Sequence, residues 1–135
     1  VDQPPGTSDA ALTTMQSLPV NGIIMVTTPQ SLASMIVRKA VHMAQAVNTP
    51  IVGVVENMAY FLCPDTGKQH FIFGPSHARE VAIAASAPLL AQLPIDPKVA
   101  ASCDAGEIEQ LTLSEVQAFL EAFIHVMPVA AGQSH

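Results

Sequence analysis

The chain is poor in positive charge. Five Lys and Arg stand against eleven Asp and Glu in 135 residues, a formal net charge of −6. Aromatics are scarce too, with five Phe, one Tyr and no Trp. Tracking phosphates needs a basic stripe and stacking bases needs aromatic platforms, so nucleic-acid binding is excluded as a main role. No apolar run approaches the roughly 18 residues of a membrane-spanning helix, and no signal-peptide pattern is read at the start. The two cysteines, Cys63 and Cys103, are too few for a disulfide framework, so a reducing, cytoplasmic setting is expected. The seven glycines are scattered, and no glycine-rich run is present to cradle a phosphate.

Apolar material is what the chain has in quantity. Half of the residues are hydrophobic and 12% are charged. That fits one domain and leaves a surplus, which points to a buried interface or a partner segment.

Short apolar runs alternate with helical periods, the pattern of parallel βαβ architecture. Residues 9–18 predict a helix with Leu12, Met15 and Leu18 inward. "NGIIMVTTP" (21–29) reads as a strand buried on both faces and stopped by Pro29. From 30 to 47, Leu32, Ile36, Ala40, Met43 and Val47 share one helix face, with Ser31 or Thr28 as cap. "IVGVVEN" (51–57) is a second strand, and 58–75 read as a loop. A helix over 76–85 is capped by Ser76, and "APLLAQLP" (87–94) is a third strand. Residues 96–103 form a short helix closed near Gly106. Thr112 and Glu115 have capping-box spacing and open a last helix. Its face is Leu113, Val116, Phe119 or Leu120, Phe123 and Met127. Residues 1–127 are taken as one domain and 128–135 as a disordered tail.

In such sheets ligands bind beyond the carboxyl ends of the strands, so the loops after each strand carry the interest. "VDQPPGTSD" (1–9) offers Asp2 for a Mg2+-bound water, then Pro4, Pro5 and Gly6 in a turn able to hold two positions. A plain Pro/Gly turn leading to a helix explains the same residues. In "VVENM" (54–58), Asn57 presents a donor and an acceptor together, suited to an adenine edge. Glu56 and Asn57 are equally acceptable as ordinary loop residues. In "YFLCPDTGKQHFIFG" (60–74), Cys63 is a soft thiolate for iron or zinc, with Asp65 and His70 as weaker candidates. A single loop cysteine is the plain alternative. In "LPIDP" (93–97), Pro94 and Ile95 can line a ligand, while Asp96 and Pro97 read as N-cap and N1. His42, His77 and His125 are isolated and are read as surface or core residues.

In order, "VDQPPGTSDAAL", "GIIMVTTPQ", "VVENMAYFLCP", "FG" and "LPIDPKVAASCDAG" resemble the Mrp/Nbp-type (ApbC-like) ATP-binding proteins over residues 1 to about 110. These are P-loop ATPases related to MinD and NifH that act as iron–sulfur cluster carriers. The resemblance implies the C-terminal half of a P-loop NTPase fold, with a mostly parallel sheet, flanking helices and the N-terminal P-loop half missing. It also implies roles by position. Asp2 ends the Walker B strand and supports Mg2+. Pro4, Pro5, Gly6 and Thr7 form switch II. Asn57 reads adenine, Pro94 and Ile95 flank the base, and Cys63 is the first cysteine of a CPxC motif. In the family, two such motifs across a homodimer hold a bridging 4Fe–4S cluster.

The sequence departs from that pattern twice. The Walker A run of the G-K-G-G-V-G-K-S/T kind is expected upstream and does not occur here, so ATP binding and hydrolysis by this chain alone are not expected. Thr66 stands where the second cysteine belongs, so a dimer offers two thiolates where a 4Fe–4S cluster wants four ligands. A partner protein, a small thiol, Asp65 or His70 would have to supply the rest. The expected function is an iron–sulfur carrier or assembly ATPase present as a fragment. Expected partners are a second copy or the N-terminal part, with iron–sulfur proteins as recipients and no nucleic acid or membrane. The alternatives are a non-catalytic dimerisation module and a MinD-like ATPase without metal.

Overall fold

In the computed structural model, the structure describes residues 1–3, 9–30 and 33–126. Three strands form a parallel sheet in the order β1 (Ile23–Thr27), β2 (Ile51–Glu56), β5 (Leu89–Gln92). Helix α1 (Asp9–Ser17) precedes β1, α2 (Ala33–Ala46) links β1 to β2, and α3 (Ala78–Ala85) leads into β5. After β5 come α4 (Pro97–Asp104), a 3-10 turn (Ile108–Gln110) and α5 (Ser114–Val126). The expected α/β parallel architecture is present, and each expected strand and helix has its counterpart.

The strands form where the sequence is continuously apolar, because both sheet faces are covered. On one face Met25 and Val54 pack with Val37 of α2 and with Val81 and Ala82 of α3, all buried. Helix α5 packs against β5 and β2, where Phe119 and Phe123 stack at 5.7 Å between ring centroids. A Cβ on Gly53 would run into the buried Leu90 side chain, which would have to shift to make room.

Several expectations are corrected. The inward face of α2 is centred on Val37, Ala40, Val41 and Ala44; it shares Ala40 with the expected stripe, whose Met43 and Val47 are only half-buried. The many alanines satisfy either face, and close approach to α3 selects the small ones. In α5, Phe119 is inward while Val116 and Leu120 are exposed. Leu18 after α1 is exposed, and the fully buried residue there is Ala11. The capping box at Thr112 is not formed. Helix α5 starts at Ser114, whose Oγ donates to Glu115 Oε2 at 3.0 Å. His77, not Ser76, is the N-cap of α3, although Ser76 Oγ still accepts the Ala78 N–H at 3.2 Å. Asp96 caps α4 as expected: its Oδ1 accepts the Lys98 N–H at 2.9 Å, with Pro97 following.

The segment read as a plain loop contains a small antiparallel hairpin, β3 (Phe61–Leu62) and β4 (Gln69–His70), paired Phe61 to His70 and Leu62 to Gln69. Two-residue strands carry too little periodicity to be seen in advance. Ser31, Leu32, Met127 and the tail 128–135 lie outside the described residues.

Candidate functional site at the carboxyl ends of the strands

Past the sheet's carboxyl end, the chain leaving β2 is laced to the chain leaving β5. Asn57 N–H donates to Thr27 O at 2.8 Å, and Leu93 N–H donates to Glu56 O at 2.8 Å. Ala59 N–H donates to Leu93 O at 2.9 Å, and Ile95 N–H donates to Tyr60 O at 2.7 Å. A parallel bridge between Phe61 and Ile95 continues the ladder. The segment holding Asn57 is thus laid beside the one holding Pro94 and Ile95, and all three residues are half-buried.

Asn57 Oδ1 is occupied, accepting the Met58 N–H at 2.9 Å, which leaves the Nδ2 donor for a ligand. Met58 sits at φ 55°, a left-handed conformation uncommon for a side chain of its size. The turn between the two segments is therefore held in one shape by its neighbours.

Below Asn57 lies a group that sequence reasoning undervalued. Glu56 is 1% exposed, among the largest fully buried side chains, and it ends β2 instead of belonging to a loop. Its Oε1 accepts from Gln92 Nε2 at 3.1 Å, and the same amide donates to Ser76 Oγ at 3.0 Å. A buried carboxylate needs such donors to offset its lost hydration. The one signal in the sequence was a charged residue at the end of an otherwise apolar strand.

The ladder runs directly into the hairpin that carries Cys63. Gly67 N–H donates to Cys63 O at 2.8 Å, and Cys63 N–H donates to Lys68 O at 3.0 Å. Gly67 takes φ 68° to close the turn, which glycine adopts at little cost. The turn aims three donors at Cys63 Sγ. First is the Thr66 hydroxyl, then the backbone N–H groups of Thr66 and Asp65, and together they hold the thiol below its ordinary pKa. Hydrogen bonds to the charged form favour it, so the turn shifts the balance towards the thiolate. Thr66, standing where the resemblance expects a second cysteine, offers the sulfur a hydroxyl donor instead.

Among the described residues, no group of three or more His, Cys, Asp and Glu side chains converges as a metal site. His70 lies opposite Phe61 and is exposed, as is Asp65. Asp2 is exposed. Pro4, Pro5, Gly6 and Thr7 lie outside the described residues. Leu62, Phe71, Ile72 and Phe73 surround the hairpin as exposed apolar side chains.

A family model described as the NUBPL iron-transfer P-loop NTPase, of the ParA group, matches residues 1–127. The chain belongs to the iron-transfer P-loop NTPases. It is 44% identical over 108 residues to an iron-sulfur cluster carrier protein of Saccharolobus solfataricus, covering 79% of this chain and 36% of that one. An iron-sulfur cluster carrier protein of Aquifex aeolicus is 46% identical over 107 residues, 79% of this chain and 29% of the relative. Among solved structures, a nucleotide-binding protein from Archaeoglobus fulgidus, in complex with ADP and with cobalt found, superposes with a TM-score of 0.78. It is 40% identical, covering 86% of this chain and 48% of the neighbour.

The chain thus spans about a third of the length of the curated relatives it matches and about half of the solved neighbour. Membership of the P-loop NTPases accounts for the parallel sheet flanked by helices. No helix among the described residues is long and apolar enough to cross a membrane.

Proposed function

We propose that this chain is the cargo-bearing, base-contacting portion of an iron–sulfur cluster carrier. The observation that carries this reading is the ladder joining the candidate base site to Cys63, from Glu56 and Leu93 through Tyr60 and Ile95 into the hairpin. Any change in the spacing of Asn57 and Ile95 reaches the thiolate through hydrogen-bonded backbone.

The residues present fit an adenine base. Asn57 Nδ2 is a donor without a partner among the described residues, and Pro94 and Ile95 offer an apolar wall. ATP with Mg2+, when bound, supplies the free energy for rearrangement, with Asp2 as the Mg2+-supporting residue and Pro4, Pro5, Gly6 and Thr7 as the switch. The phosphates need a Walker A loop that this sequence does not contain, so hydrolysis belongs to the larger carrier.

Cys63 holds the cargo, a 4Fe–4S cluster, through a thiolate that the Thr66 and Asp65 donors favour. A second copy of the chain brings the second thiolate, and the exposed Leu62, Phe71, Ile72 and Phe73 beside Cys63 are the surface over which the copies meet. The remaining iron ligands come from a small thiol or from the recipient protein, with Asp65 and His70 as nearby alternatives. Incomplete ligation by the carrier suits a cargo that must leave. The setting is the cytoplasm, where thiols stay reduced.

Anaerobic reconstitution with iron and sulfide, followed by visible absorption, tests this. Broad absorption that disappears in Cys63→Ser and persists in Cys103→Ser is expected. A wild-type chain that takes up no cluster, or a Cys63→Ser variant that keeps it, overturns the reading.

A further inference from the structure

The segment that carries Cys63 leaves the sheet at Asn57 and returns at Ser76, and one buried residue stands behind both ends. Glu56 ends β2 and is 1% exposed. Its main chain runs straight on into Asn57. Its Oε1 accepts from Gln92 Nε2 at 3.1 Å, and the same nitrogen donates to Ser76 Oγ at 3.0 Å. A primary amide nitrogen has two hydrogens, so one is engaged by each partner. Ser76 Oγ also accepts the Ala78 N–H at 3.2 Å, where α3 begins.

Residue type matters at position 92. A carboxylate there would have no hydrogen to give and would face the Glu56 charge. An apolar side chain would leave the buried carboxylate without this donor. Gln92 is exposed, and holding a flexible exposed side chain in one geometry costs conformational entropy. Two hydrogen bonds to fixed partners offset that cost.

The arm that returns from the hairpin has few other restraints. Phe71, Ile72 and Phe73 are exposed, so burial does little to fix it. Gly74 takes φ 92° with open space where a side chain would stand. The outgoing arm is held differently, by the Ile95 N–H donated to Tyr60 O at 2.7 Å. Residues 61–75 are thus anchored at two points on one short stretch, at Ile95 through backbone and at Gln92 through its side chain.

We propose that Gln92 and Ser76, braced on Glu56, clamp the return arm of the Cys63 segment to the strand exit that walls the candidate base site. They are positioning residues, acting on Cys63 through the arm. The purpose of the clamp rests on the carrier reading above. A shift of residues 92–95 against Asn57 moves both ends of the segment together, so the hairpin travels as one body. With the backbone tie alone the hairpin would swing about the Ile95–Tyr60 bond, and the shift would be lost before it reached the sulfur.

Native-state hydrogen exchange on this chain, without iron or nucleotide, tests the clamp. The amides read are Gly74, bonded to Phe71 O in the return arm, Ile95 in the ladder, and Val54, bonded to Pro88 O in the core. Ser76→Ala cuts the tie to Gln92 and leaves Glu56 its donor. Gly74 and Ile95 should both exchange about fivefold faster, the effect of one net hydrogen bond, with Val54 unchanged. Ser76→Thr keeps the hydroxyl and should restore the wild-type rates. Ser76→Ala also removes the bond to the Ala78 N–H, so a second variant cuts the clamp from its other side. Glu56→Met with Gln92→Met replaces both polar partners by apolar side chains of similar length, a change that can be nearly neutral for stability, and leaves Ser76 on Ala78. It should speed Gly74 and Ile95 to the same degree. An Ile95 amide that keeps its wild-type rate in Ser76→Ala overturns the proposal. So does a Val54 amide that speeds in step with the other two, or a Ser76→Thr variant that exchanges like Ser76→Ala. An Ile95 amide that speeds in Ser76→Ala and not in the double variant overturns it as well, by assigning the effect to the start of α3. Cluster loading is not read, so a chain that takes up no iron sinks the carrier reading and leaves the exchange result standing.

Discussion

Residues 56–60 and residues 61–73 are consecutive in the chain and are held in opposite ways. The first segment is tied to β5 and the chain after it by three backbone hydrogen bonds, and beneath them by the Glu56–Gln92 side-chain contact. The second is a two-rung hairpin whose apolar side chains Phe71 and Ile72 are 51% and 58% exposed. The inner segment is built to keep its shape. The outer one carries the Cys63 thiol, whose pKa its turn lowers, and its fold leaves apolar area uncovered. On the carrier reading proposed above both properties are needed, because one end would register a signal while the other gives its cargo away.

The sharpest way to break that contrast is at Glu56. Glu56→Ala removes the buried carboxylate that accepts from the Gln92 amide and leaves a cavity, with an expected loss of about 2–4 kcal/mol in denaturant unfolding. Glu56→Gln keeps an acceptor oxygen for Gln92 and is expected to cost less than about 1.5 kcal/mol. Equal losses in the two variants would mean that volume, not the tie, is what matters at this position.

Next in size is an effect confined to the hairpin. Thr66→Val removes the hydroxyl that contributes most to the lowered Cys63 pKa. In a Cys103→Ser background, the pH midpoint of iodoacetamide alkylation should rise, and the rate at pH 7 should fall. Unfolding free energy should change by less than about 0.5 kcal/mol. A large stability change would show that the turn is coupled to the core after all.

How much of this was legible depended on what each residue could be confused with. The three parallel strands were plain because IIMV and IVGVV have no other good use. Asp96 and Pro97 were equally plain, since cap chemistry is local. The inward face of α2 was misread in part because alanine is compatible with either face, so the choice falls to packing against α3. The hairpin β3–β4 was invisible, being only four residues long and set by the ladder behind it. Glu56 looked like a loop residue because burial is a property of the assembled sheet. Asn57 was named apart from Pro94 and Ile95, and only the fold lays their two segments side by side.

The two segments also differ in how they respond to alkali. The Cys63 thiol is held below its ordinary value of 9.0, by Thr66 first, so the folded state releases this proton before the unfolded state does. Its contribution to stability is fully present above 9.0 and is lost as pH falls through the folded value. Tyr60, in the inner segment, is raised above 10.0, by burial first and by Glu115 second. Its contribution is present below 10.0 and is lost as pH rises through the folded value. In Cys63→Ser the gain in stability on the approach to pH 9 should shrink, and in Tyr60→Phe the loss above pH 10 should shrink. Denaturant midpoints at fixed m-value read both.

The smallest effect expected is at Phe71 and Ile72. If their apolar area serves an interface and not the fold of one chain, Phe71→Ser with Ile72→Ser should leave the unfolding free energy of the monomer within about 0.5 kcal/mol of wild type. Exposed side chains have little transfer free energy to lose. The same double variant should reduce dimer formation under cluster-loading conditions, read by light scattering. A loss of more than about 1.5 kcal/mol in the isolated monomer would instead make these side chains part of the hairpin's own support, and the contrast between the inner and outer segments would then narrow.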